Sequence, residues 1–65
     1  MKQEYIQQVG RALPLPGKQK REVLRDLEEL FASAAEHGES EVQVLDRLGS
    51  PEEYAKEVLA QTGYA

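Results

Sequence analysis

The chain contains no cysteine. That removes the two staples on which very small domains often depend, a disulfide and a thiolate-held metal. It also lacks any apolar run near the ~20 residues of a transmembrane helix. Its opening, Met1-Lys2-Gln3-Glu4, has no apolar core of the signal-peptide kind. These absences predict a soluble, cytoplasmic chain, although a domain cut from a longer membrane protein has the same composition. Membrane contact would then come only through a missing C-terminal part. Strand signals are absent too, and no catalytic, metal or nucleotide motif is present. The 65 residues make a single domain, 1–65, near the lower size limit for folding unaided. Its stability must come from helix packing, with a partner or self-association as additional support.

The net charge of −4 conceals an asymmetry. Residues 1–21 carry Lys2, Arg11, Lys18, Lys20 and Arg21 against Glu4 alone, a balance of +4. Residues 22–65 carry Arg25, Arg47 and Lys56 against eleven acids, a balance of −8. An acidic body disfavours nonspecific nucleic-acid binding, whereas a basic end suits an acidic partner or an anionic lipid surface.

Punctuation residues divide the chain into four helices, expected near 2–13, 16–37, 41–48 and 51–62. In the first, Tyr5, Ile6, Val9 and Leu13 share one face, and Pro14 forces the preceding residue out of helical geometry. Gly10 costs about 1 kcal/mol against alanine in mid-helix; either it allows a close helix contact or it is only tolerated. Pro16 suits the first position of the second helix. Val23, Leu24, Leu27, Leu30, Phe31 and Ala34 continue it as an apolar stripe. Arg25 is placed to meet Glu28 or Glu29, and Gly38 is a left-handed terminator. For the third helix, Ser40 with Gln43 reads as a capping box. Val42, Leu45 and Leu48 are expected to point inward, with Val44 to the side. The stretch "RLGSPEEYAKEVL" then holds a sharp corner. Gly49 closes the third helix, Ser50 caps the fourth, Pro51 takes its first position and Glu53 completes a second capping box. Tyr54, Ala55, Val58 and Leu59 supply its apolar face. Gly63 is expected to end it, with Tyr64 folding back onto Leu59. The expected architecture is all-α, a compact four-helix domain with one long central helix and short connecting turns.

His37 lies one turn after Ser33 and three residues before Ser40, but a histidine in a last helical turn commonly serves the helix dipole. So small a domain has little room for a preorganised substrate pocket. Zinc would have only His37 and carboxylates, at no recognised spacing. Glu36, Glu39 and Glu41 do not match a calcium loop. The third and fourth helices resemble a helix-turn-helix in outline. The outward residues of the fourth, however, are Glu52, Glu53, Lys56, Glu57 and Gln61, three acids against one lysine, a face that phosphates repel. No cofactor, metal, small-molecule substrate or direct nucleic acid is expected. The oddest feature is the cluster Lys18, Lys20 and Arg21 in the first turns of the second helix, where the dipole disfavours cations. One reading is solvated, partly paired side chains, such as Lys18 with Glu22. The other is a docking patch for an acidic partner or a membrane surface.

The order Leu15-Pro16, "REVL", "DLEELF", the Gly38–Glu41 turn and "VLDRLGSPEEYAKEVL" resembles the HAAS domain, the HTH-associated alpha-helical signalling domain of bacteria. The likeness runs from about Glu4 to Leu59. It implies an N-terminal cytoplasmic helical domain, usually followed by membrane-spanning segments and encoded near a PadR-like transcriptional regulator. It brings no enzymatic residue with it. Leu27 stands where the family often has tyrosine. The resulting expectation is a non-catalytic protein–protein interaction and signalling module acting with a PadR-like regulator. The alternative is a structural or oligomerising cytoplasmic cap of a membrane protein.

Overall fold

The computed structural model describes residues 1–62. They form four helices in chain order: α1 Lys2–Ala12, α2 Gly17–Glu36, α3 Glu41–Leu48 and α4 Pro51–Thr62. The architecture is all-α. The expected cap at Gly63 and Tyr64 lies outside the described residues.

Three helix ends differ from expectation by one residue each. α1 stops at Ala12 because Leu13 precedes Pro14 and takes an extended conformation, φ −97° and ψ 108°. Pro16 is not inside α2 but is its N-cap, with ψ 152°. Its carbonyl accepts the Lys20 N–H at 2.9 Å, so it stands half in the helix. α2 is therefore about 30 Å long, at 1.5 Å per residue. At its far end His37 is the C-cap. Gly38 has φ +81°, and the Glu39 N–H reaches the Ala34 carbonyl while the Gly38 N–H reaches that of Ala35. This is the paired closure of a Schellman motif, in which glycine takes the left-handed position.

α2 is the longest element, and α1 packs against both it and α4, while α3 bridges α2 and α4. Gly10 makes the α1–α2 approach possible. A Cβ placed there would lie 3.3 Å from Leu24 Cδ1, tighter than ordinary contact. The core consists of Tyr5, Val9, Leu13, Leu15, Leu27, Phe31, Ala34, Val44 and Ala55. Leu13 and Leu15, on the turn between α1 and α2, are thus core residues, while the intervening Pro14 is exposed. The rings of Tyr5 and Phe31 meet edge to face with centroids 6.3 Å apart, and Tyr54 lies 6.4 Å from Tyr5 on its other side. Such pairs add to the area they bury.

α3 reverses one expectation. Val44 is 1% exposed and Val42 57% exposed. At 100° per residue, two apolar stripes on this helix share Leu45 and Leu48, one completed by Val42 and the other by Val44. Packing against α2 and α4 selects the second.

Candidate functional site

Two places hold the polar features singled out in the sequence. The first is the corner between α3 and α4. The Ser40 hydroxyl accepts the Gln43 N–H at 3.2 Å, and Gln43 Oε1 accepts the Ser40 N–H at 2.8 Å. Ser50 and Glu53 repeat this reciprocity at 3.1 and 3.0 Å. The Ser50 hydrogen bonds hold the Glu53 carboxyl below its usual range. Gly49, between the two helices, has φ +82° and ψ −164°, a region that is essentially glycine-only. A Cβ there would sit 3.1 Å from Glu53 Oε1.

A third group fastens this corner. The Tyr5 hydroxyl donates to the Gly49 carbonyl at 3.0 Å, across 44 residues of sequence. The tether was not read from the sequence. Its one signal was a tyrosine, rather than leucine, on the apolar face of α1, because a buried phenol needs a partner. Burial, with the Tyr54 and Glu53 charges beside it, pushes the Tyr5 phenol up to about 12. Tyr54 is also raised, by burial first and then by Asp26 and Glu57.

The second place is the start of α2. No acidic residue occupies its first turn, and Pro16 offers no side-chain cap. Lys18 and Arg21 are exposed, while Lys20 is half-buried. The difference follows from register. Lys20, Leu24, Leu27, Phe31 and Ala34 follow one another at intervals of four, three, four and three residues, so Lys20 continues the core stripe to its end. Its aliphatic stem covers apolar surface while the ammonium reaches water. Lys18 lies on the opposite side of the helix. The structure therefore brings Lys18 and Arg21 together on outward-facing surface and separates Lys20 from them. Arg25, exposed and seven residues after Lys18, joins that outward surface.

The ion pairs expected here do not form. Among the described residues, ion pairs link Arg47 to Glu39 at 3.1 Å and the N-terminal amine to Glu4 at 3.8 Å. Lys18 is not paired with Glu22, nor Arg25 with Glu28 or Glu29. Exposed pairs of this kind are worth only tenths of a kcal/mol, which rarely fixes two long side chains.

His37 and Ser33 border a shallow recess with Leu30, Ala34, Glu39 and Arg47. His37 Nδ1 is 2.7 Å from the Ser33 main-chain oxygen. The ring therefore engages the last turn of α2, and that nitrogen is not directed at the Ser33 hydroxyl. No group of three or more metal-ligating side chains occurs among the described residues. No helix among them is long and apolar enough to cross a membrane.

The model of the HAAS family matches residues 4–57. That span contains all but the first two residues of the α1–α2 hairpin, both capping boxes and the Tyr5–Gly49 tether. No curated protein and no solved structure matches the chain. The HAAS family is associated with signalling and with PadR-like regulators, and it is not a known enzyme family. The chain belongs to the HAAS family.

Proposed function

We propose that this HAAS-family chain is a non-catalytic protein–protein interaction and signalling module that acts with a PadR-like transcriptional regulator at the cytoplasmic side of the cell. Family membership over 4–57 is the observation that carries this reading. The chemistry of the surface agrees with it. Among the described residues, the polar contacts are mainly helix caps, one phenol tether and surface ion pairs, which hold a shape rather than turn over a substrate. Docking falls to the start of α2, where exposed Lys18 and Arg21 stand without ion-pair partners among the described residues. Half-buried Lys20 supports that surface from the core side of the helix.

The test is direct binding of the purified chain to a PadR-like regulator encoded beside its gene, followed by calorimetry at low salt. Saturable binding is expected. A Lys18→Glu/Arg21→Glu variant should bind about tenfold more weakly, at up to 1 kcal/mol for each exposed charge contact. Lys20 is left unchanged, since altering a half-buried side chain would confuse folding with docking. Absence of binding by the parent chain would refute the signalling reading and leave the structural cap in its place.

A further inference from the structure

Lys18 and Arg21 are part of a longer surface. The Gly10–Leu24 contact fixes the register of α1 against α2. Arg11 is one residue beyond Gly10 on α1, toward the turn. Arg21 is three residues before Leu24 on α2, toward the same turn. Tyr5 and Val9 mark the inner side of α1, and Lys20 and Leu27 mark that of α2. At 100° per residue, Arg11 and Arg21 both fall on the outer side of the seam between the helices. Lys18 and Arg25 continue the row along α2. All four side chains are exposed, and none is ion-paired with a described residue. Glu22 and Asp26 are the exposed acids interleaved with them along α2, and Glu28 and Glu29 close the row one turn later.

We infer that the outer surface of the α1–α2 hairpin, carrying Arg11, Lys18, Arg21 and Arg25, docks an acidic protein segment whose carboxylates recur about one helical turn apart. The inference rests on the docking role proposed for Lys18 and Arg21, and it names the chemistry of what docks there. The net charge of −4 does not oppose it. The molecule is 35 Å long, while charges are screened over about 8 Å at physiological salt, so the acids of α3 and the start of α4 act locally. An anionic lipid surface fits less well. Among the described residues, the strongly exposed large apolar side chains are Met1 and Val42, at the far end of α1 and on α3. A handful of cations with no apolar side chain to insert binds membranes weakly.

The test is an amide-shift titration of the whole chain with a synthetic alanine peptide carrying glutamate at every fourth position. Parallel sedimentation uses vesicles of phosphatidylcholine and phosphatidylglycerol in equal parts. Shifts should concentrate in residues 10–26. The Arg11→Gln/Lys18→Gln/Arg21→Gln/Arg25→Gln variant should bind the peptide at least about tenfold more weakly, while Arg47→Gln/Lys56→Gln should bind as the parent does. Amide dispersion of each variant reports that it is folded. Shifts spread evenly over the molecule, equal losses in both variants, or vesicle binding stronger than peptide binding would each overturn the inference. These outcomes are independent of the regulator. A regulator that binds while the peptide does not map here leaves the signalling role intact and moves the docking site elsewhere.

Discussion

Replacing Gly49 by alanine tests the corner on which the two short helices turn. Its φ of +82° with ψ −164° is a conformation that costs a residue with a Cβ about 1–3 kcal/mol. The new methyl would also stand 3.1 Å from Glu53 Oε1. That oxygen must move, and it is the one that accepts the Ser50 N–H. Weakening of that cap adds up to about 1 kcal/mol, for a total of roughly 1–4 kcal/mol. A chain of this size has only about 3–10 kcal/mol in all, at 0.05–0.15 kcal/mol per residue. Urea unfolding followed by circular dichroism should therefore show a large fall in midpoint at unchanged slope. Gly38→Ala is the control. Its φ is nearly the same, +81°, but nothing lies within 4 Å of the added Cβ, so about 1 kcal/mol is expected from the backbone alone. A Gly49→Ala/Glu53→Ala double variant separates strain from collision. If the collision contributes, the two changes together cost less than their sum. Gly49→Ala no more damaging than Gly38→Ala would refute the argument.

Two further outcomes follow from burial. Tyr5→Phe should cost about 1 kcal/mol, the worth of one hydrogen bond, because it strips the Gly49 carbonyl of its donor. Because its folded pKa is raised, Tyr5 stabilises the fold fully below pH 10.0, and that contribution is lost as pH climbs through about 12. Alkaline titration of the melting temperature should therefore fall less steeply in Tyr5→Phe, with Tyr54 responsible for what remains. Val44→Ala should destabilise by about 2 kcal/mol and Val42→Ala by less than about 0.5 kcal/mol, measured by the same urea midpoints.

Local chemistry was legible in the sequence. Ser40 with Gln43 and Ser50 with Glu53 act over three residues, and Gly38 and Gly49 act on their own backbone, so the order of helices and turns could be read directly. The motifs that carry the HAAS resemblance are these same starts, stops and core positions. Longer-range choices were not legible. Val42 and Val44 complete equally good stripes, and only the packing of α3 on its neighbours decides between them. The bond from Tyr5 to Gly49 spans the chain and has no periodic signature. Lys20 was legible in principle, since its spacing from Leu24 and Leu27 already placed it on the core side. Grouping it with Lys18 by charge concealed that register. Arg25 was assigned to Glu28 or Glu29 on spacing alone, although exposed pairs of that kind are weak.

The start of α2 sets stability against binding, and the opposition is measurable. Cations in a first helical turn are disfavoured, while an acid there gains about 0.3–1 kcal/mol from the dipole. α2 has no acid in that turn. Lys18 is exposed on the side away from the core and has no ion-pair partner among the described residues, so its replacement breaks no described contact. Lys18→Glu should consequently raise stability by about 0.5–1 kcal/mol, seen as a melting temperature several degrees higher, at 4–8 °C per kcal/mol for a domain of this size. The same substitution should weaken binding to an acidic partner. Lys20→Glu should differ, since it would place a carboxylate at the half-buried end of the core stripe and lower stability. Opposite signs at two lysines two residues apart would establish the register of α2. A rise in stability accompanied by loss of binding at Lys18 would show that the cation serves docking rather than folding. If Lys18→Glu lowers stability, the lysine is structural and the docking role at this position fails.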